Sequence, residues 1–402
     1  MRRVALSLCC LCLAAAASPA GAGICFLDTV PAATLLLPYF QVDLNDPNGE
    51  TTLFSVNNSS QLPVLAKVEV WSDLGVAIFG FDVYLNAYDV QTINLRDVLA
   101  HGMLPQTQPL PGTFQSCAGA LPPPPLPPSM LASVQSLLTG QPSVLLDGRC
   151  AGRDLGDGFA RGYVTADVVS ACSTQFQGDT GYFGEGGTGI PTNQNVLFGD
   201  YFFINPGNNT AEGGQLAHIE ADGDNPETTV GGNYTFYGRF TSWTAVDNRE
   251  PLGTNFAVRF LNGGAFTGGS DLVVWRDPKV RQDLFDCPAQ PGIRPSWYPL
   301  GQERLIAFDE SGSPIGLDRY QPFPAVTQRV HVGGPDLPVP FTCGWLYLDL
   351  NTTVAAAGSN PPEDSQAAQG WVSVLMEANG HFGVGFDALK LDSACQAKHL
   401  TP

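Results

Sequence analysis

The densest group of metal-ligating side chains in this chain of 402 residues lies at 219–229, IEADGDNPETT. Asp222, Asp224 and Glu227 surround a glycine-containing turn in this stretch. Calcium takes about six to eight oxygen ligands, and carboxylates at alternating positions of a tight loop can supply several of them. The spacing lacks the complete EF-hand pattern, so a solvated hairpin tip is the simpler interpretation. A calcium site at Asp222, Asp224 and Glu227 is the alternative, and no other cofactor is expected.

An aromatic run, NYTFYGRFTSW, follows at 233–243. If it forms a β-strand, Tyr237 lies on the opposite face from Tyr234 and Phe236. Exposed together, Tyr237 and Trp243 would form a platform on which sugar rings stack, whereas most aromatic strands belong to a core. A core strand is therefore the first interpretation, and a carbohydrate platform is the alternative.

Catalytic motifs are absent from the sequence, which contains no G-x-S-x-G, H-E-x-x-H, P-loop or dinucleotide-binding pattern. The five histidines are dispersed, and His218 in QLAHIEAD has no neighbouring cysteine or histidine. A pair among the 38 acidic residues could hydrolyse a glycosidic bond, but the sequence does not single one out. We therefore expect a non-enzymatic protein with a binding or structural role and assign no catalytic or cofactor-binding residues. A carbohydrate-active protein, either a sugar-binding module or a hydrolase, is the alternative.

The charge of the chain restricts its partners. Lysine and arginine number 19 against 38 acidic residues, which gives a formal net charge of −19 at pH 7. Such a surface repels nucleic acid and anionic lipid. A surface glycan or another protein is the expected class of partner, with no nucleic acid and no membrane insertion.

The N-terminus has the three parts of a secretory signal. Arg2 and Arg3 precede an apolar run at 4–17, and the small residues Ala20-Gly21-Ala22 follow it. The apolar run is too short to span a bilayer as a helix. We predict a signal peptide at 1–22 and a secreted protein, either extracellular or periplasmic.

Ten cysteines occur in the chain, and seven remain after signal removal. An exported protein keeps most of its cysteines oxidised, and an odd number leaves one thiol over. Proximity favours a disulfide between Cys117 and Cys150. We also expect Cys287 to pair with Cys395 and Cys25 to pair with Cys172. Cys343 is then expected to remain as a buried free thiol.

Two related phrases, AKVEVWSDLG at 66–75 and SDLVVWRDPK at 270–279, suggest one series of strands used twice. The strands Gly162–Val168 and Gly344–Leu350 also resemble each other, with an outward aromatic residue and an outward aspartate in each. Alternation of apolar and polar residues predicts half-buried antiparallel strands. In the first phrase the outward residues are expected to be Lys67, Glu69 and Trp71.

Frequent short strands with Gly, Pro and Asn turns predict an all-β protein of two tandem Ig-like β-sandwich domains. The expected domains are 23–248 and 249–402, with a boundary in AVDNREPLG at 245–253. A Pro-rich, partly helical insertion is expected at 102–158. Its helix should begin at Pro128, run from Ser129 to Leu138 and stop at Gly140.

The stretches VPAATLLLPYFQVDL and DNREPLGTNFAVRFL resemble an uncharacterised group of secreted bacterial proteins. This resemblance implies a bacterial exported protein and implies no activity, cofactor or site.

We predict that signal peptidase cuts before Gly23, because Ala20 and Ala22 supply the small residues that the enzyme recognises. N-terminal sequencing of exported protein should begin at or next to Gly23. Exported protein that retains Met1 would contradict the predicted localisation.

Overall fold

The computed structural model describes residues 30–107, 125–184, 189–226, 228–229, 234–241, 245–288, 300–351 and 368–392. Strands dominate these ranges and pair in antiparallel sheets, which confirms the all-β sandwich class. Within these ranges, none of the helices combines the length and the apolar character needed to cross a bilayer.

The first half of the chain forms two facing sheets. Sheet I has the order β11 (Ala217–Ile219), β1 (Thr34–Asp43), β7 (Phe159–Val169), β3 (Val64–Ser72) and β4 (Ala77–Leu85). Sheet II has the order β10 (Thr210–Gln215), β9 (Asp200–Asn205), β2 (Thr51–Asn58) and β5 (Val90–Asn94), and β8 (Leu197–Phe198) also pairs with β2.

The second half forms another facing pair. Sheet III has the order β16 (Pro314–Gly316), β15 (Arg304–Phe308), β18 (Cys343–Asp349), β12 (Asn255–Leu261) and β21 (Leu389–Lys390). Sheet IV has the order β17 (Thr327–His331), β13 (Gly269–Arg276), β19 (Gly370–Ala378) and β20 (Phe382–Asp387). A small ladder joins β6 (Arg149–Cys150) to β14 (Phe285–Asp286).

Each pair of sheets encloses a core made by the inward faces of its strands. Val68 and Val164 belong to the core between sheets I and II, and Leu346 and Val374 belong to the core between sheets III and IV. Val273, on the other face of sheet IV, packs into the first core, so the two halves share buried surface. The division at residues 248 and 249 remains a prediction.

A third cluster brings the two related phrases together. Trp71 stacks on Tyr163 with ring centroids 5.5 Å apart, and Tyr163 meets Trp275 edge-on at 5.9 Å. All three rings are buried in one aromatic cluster between the sheets. The tryptophans of the two segments therefore both pack on Tyr163.

The strand orders of sheets I and III match, and so do those of sheets II and IV. Sheet I, β11-β1-β7-β3-β4, corresponds to β21-β12-β18-β15-β16 of sheet III, and sheet II, β10-β9-β2-β5, corresponds to β20-β19-β13-β17 of sheet IV. The predicted counterparts Gly162–Val168 and Gly344–Leu350 hold matching places in β7 and β18, where Gly162 pairs with Phe40 and Gly344 pairs with Phe260. The segments at 66–75 and 270–279, in contrast, hold different places, because β3 corresponds to β15 whereas β13 corresponds to β2.

The outward exposure expected for Lys67, Glu69 and Trp71 is also wrong, because every residue of β3 is buried. The described segments 170–184 and 189–196 cover this face, and the Lys67 amine donates to the Ser173 carbonyl at 2.7 Å. Lys67 and Glu69 face each other at 3.6 Å without access to solvent. Burial raises the pKa of Glu69 from 4.5 to about 8 despite the nearby lysine.

Two α-helices occur among the described residues. The helix α2 (Pro128–Leu138) has the predicted bounds, and Gly140 after it adopts φ 72°, a conformation that favours glycine. The helix α1 (Leu95–His101) was missed, because QTINL continues a strand-like alternation into it. The Asn94 side chain accepts from the Arg96 amide and starts α1.

The disulfide pairing predicted from proximity is wrong. Cys150 is bonded to Cys287, so neither Cys117–Cys150 nor Cys287–Cys395 can form. The β6–β14 ladder holds the two residues together across 137 positions of sequence, which sequence distance does not reveal. Cys172 is disulfide-bonded as well, whereas Cys25, Cys117 and Cys395 lie outside the described residues. Cys343 is the free thiol among those described, and it is half-buried instead of buried.

The long-range disulfide should stabilise the fold by restricting the unfolded chain. Replacing both Cys150 and Cys287 by serine should lower the free energy of unfolding by about 2–5 kcal/mol, the usual range for such a bond. Urea unfolding measures the change, and Cys343→Ser is the matched control. Recovery of a peptide linking Cys117 to Cys150 under non-reducing conditions would contradict the pairing.

The raised pKa of Glu69 predicts that stability falls with rising pH. The stability that proton binding contributes is fully present below pH 4.5 and is lost as the pH rises to about 8. Glu69→Gln should reduce this fall by roughly 1.4 kcal/mol per pH unit within that window. Urea unfolding from pH 5 to 9 measures it, with exposed Asp336→Asn as control. Equal slopes for wild type and Glu69→Gln would reject the assignment.

Candidate binding face

The described residues of the predicted calcium loop form a local turn. The Asp222 carboxylate accepts from the Asp224 amide at 2.9 Å, and the Asp222 carbonyl accepts from the Thr228 hydroxyl. Glu227 lies outside the described residues. In the part of the chain that the structure describes, no three His, Cys, Asp or Glu side chains are grouped closely enough to hold a metal ion. Calcium at Asp222, Asp224 and Glu227 therefore remains a prediction.

The predicted carbohydrate platform is wrong at Tyr237, which is buried. Its segment forms a turn and the short 3-10 helix Gly238–Phe240 instead of a strand. Trp243 lies outside the described residues. The Tyr237 hydroxyl donates to the Asp167 carboxylate at 3.1 Å, so this aromatic side chain belongs to the interior.

The Asp167 carboxylate organises the covered face of sheet I. It accepts hydrogen bonds from Thr34, Gln177, Tyr182 and Tyr237, which come from β1 and from two covering segments. A buried carboxylate needs such donors because it has lost its hydration. Glu69 and Asp167 are thus enclosed and inaccessible to a substrate.

A different aromatic surface is exposed, on the outer side of sheet III. We call it the aromatic face, and its residues are Arg259, Arg304, Phe308, Trp345 and Tyr347. Register places Arg259, Trp345 and Phe308 in one row across three strands. The next rows contain Ala257, Tyr347 and Ile306, and then Asn255, Asp349 and Arg304.

Trp345 is the most prominent ring of this face, with 38% of its surface exposed. Phe308 stacks on one side of the indole, with centroids 4.2 Å apart and planes 7° from parallel. Among the described residues the opposite side has no ring or cation contact, although Arg259 holds the neighbouring position. Phe308 therefore supports one side of the indole, and the indole remains partly exposed.

Polar groups around the rings are held in place by the sheet. The Tyr347 hydroxyl donates to the Asn255 side chain at 2.9 Å. Burial raises the pKa of Tyr347, and burial together with Glu303 and Asp392 raises the pKa of Asp349. Donors and acceptors are thus fixed beside the exposed indole.

Arg259 and Arg304 differ from the other described basic residues. Each of the others forms a hydrogen bond, an ion pair or a contact with an aromatic ring. Within the described ranges, Arg259 and Arg304 have no hydrogen-bond, ion-pair or ring partner and are exposed. In an acidic chain, two uncommitted guanidinium groups beside one aromatic row are available for a ligand.

The sequence contained the signal for this face. The alternation along Gly344–Leu350 places Leu346 and Leu348 inside and Trp345 and Tyr347 outside, and burial agrees with it. Phe308 and Arg259 come from other strands, so their alignment with Trp345 depends on register that one sequence does not reveal.

Comparison with known proteins identifies no relative for this chain. None of the family models, characterised proteins or solved structures compared with it matches.

Proposed function

We propose that the chain is an exported, non-enzymatic glycan-binding protein and that the aromatic face is its binding surface. The signal-like N-terminus and the resemblance to secreted bacterial proteins support export. The division into modules at 23–248 and 249–402 belongs to the same proposal, with the binding surface on the second module.

The observation that carries the proposal is the exposed indole of Trp345, supported by Phe308, next to two arginines that have no partner among the described residues. A sugar ring presents an apolar side of C–H groups and a rim of hydroxyls. Its apolar side can pack on the indole, as apolar ligand surfaces pack on aromatic walls. Arg259 and Arg304 can donate to hydroxyls on the rim, and Asp349 can accept from them.

The buried acids of sheet I are not placed for hydrolysis of a glycan. Hydrolysis needs two carboxyl groups that reach the glycosidic bond. Glu69 and Asp167 are near one another in sheet I but are enclosed by the covering segments. The aromatic face instead offers an exposed, open sheet surface, which suits recognition without bond cleavage.

Replacing Trp345 by alanine should weaken glycan binding about tenfold or more, because the stacking surface is removed. Trp345→Tyr should restore part of the affinity. Titration calorimetry with hits from a panel of neutral polysaccharides measures the effect. Phe382→Ala removes another exposed ring, on sheet IV, and is the matched control.

Thermal melting of each variant separates lost binding from lost folding. Equal affinity of wild type and Trp345→Ala would rule out the aromatic face as the site. Release of sugar from the polysaccharide by the wild type would favour the alternative, a hydrolase.

A further inference from the structure

A separate groove lies on the outer side of sheet II, away from the aromatic face. Its volume is about 700 Å³. Strands β2, β8, β9 and β10 form its floor. The residues that determine its chemistry are Asn57, Phe198, Asp200, Phe202, Gln215 and His218.

Phe198, Asp200 and Phe202 alternate along the chain and share the exposed side. The two phenylalanines are 40% and 46% exposed, whereas Tyr201 between them is buried in the core. Successive residues on one side of a strand are about 6–7 Å apart. A carboxylate thus lies between two exposed phenyl rings.

Two glycines, Gly199 and Gly213, allow the close packing that forms this groove. A Cβ atom at Gly213 would lie 2.7 Å from Cδ1 of Phe202, so the ring rests directly over the glycine backbone. At Gly199 a Cβ atom would lie 2.2 Å from the Ser55 carbonyl oxygen. Side chains at these two positions would displace Phe202 or separate β8 from β2.

The charge of the groove is negative. Asp200 is the charged residue of its lining, which contains neither lysine nor arginine. Its carboxylate accepts one side-chain hydrogen bond, from the Ser55 hydroxyl at 2.7 Å, and stays exposed. Burial lowers the pKa of His218, and its Nδ1 lies 2.8 Å from the Val30 carbonyl oxygen, so a neutral imidazole donates there.

We propose that this groove binds an organic ammonium ion, and that Phe198, Asp200 and Phe202 form its recognition site. Aromatic rings attract cations through the negative potential of their faces, and quaternary ammonium groups are bound in this way. The carboxylate supplies the opposite charge and excludes anions. The remaining lining supplies amide groups from Asn57 and Gln215 for a polar substituent.

This site is independent of the proposed glycan site, because it lies on a different sheet and uses different residues. A quaternary ammonium group occurs both in free choline and in lipid headgroups. Glycerophosphocholine and choline carry the same cation, and their relative affinities distinguish these two sources.

The test is titration calorimetry of the full mature chain with choline and with 3,3-dimethylbutan-1-ol, its uncharged isostere. Choline should bind at least tenfold more tightly than the isostere. Asp200→Asn and Phe202→Ala should each weaken choline binding roughly tenfold. Asp336→Asn and Phe382→Ala are the matched exposed controls and should leave it unchanged.

Equal binding of choline and its isostere would overturn the proposal, as would full affinity in Asp200→Asn or no detectable choline binding. Thermal melting shows whether each variant is folded. Trp345→Ala should bind choline like the wild type, so failure of the glycan proposal and failure of this one are separable.

Discussion

The carboxylate of Asp167 is enclosed by protein, and four side-chain donors take the place of its water. Two of the donors, Gln177 and Tyr182, belong to the segment that covers sheet I, and Tyr237 belongs to a second covering segment. Loss of any one donor would leave a buried charge less completely solvated, which is costly. Because the covering segments supply these donors, the hydrogen bonds hold the segments on the sheet. The segments thereby exclude water from the outer side of β3.

Burial of that side creates the aromatic cluster that joins the two halves. Trp71, Tyr163 and Trp275 pack in one group, and Arg239 donates to the Tyr163 hydroxyl while pairing with Asp277. The buried Arg239–Asp277 pair spans the halves at 2.6 Å. Sheets I and IV supply this contact, whereas Phe198 and Phe202 of sheet II and Trp345 of sheet III are exposed. The candidate binding surfaces lie there.

Much of the secondary structure followed from local chemistry. The residues around Trp71, Trp275 and Trp345 form strands, and burial along the Trp345 strand alternates as predicted. The helix α2 begins at its predicted proline and ends before its predicted glycine. The aromatic run near Tyr237 has the composition of a strand but folds as a turn, since its tyrosine hydroxyl hydrogen-bonds to Asp167, 70 residues away in sequence. The composition of a segment favours one type of secondary structure, and contacts with residues distant in sequence can override that preference.

The sequence by itself determined the all-β class and the inward residues of β18, because these depend on the alternation of apolar and polar residues. Tertiary structure decided that Cys150 bonds to Cys287 and that Lys67 and Glu69 are buried. It also decided which aromatic residues reach solvent. Alternation assigns a side chain to one side of a strand, but whether water reaches that side depends on what the rest of the chain places over it.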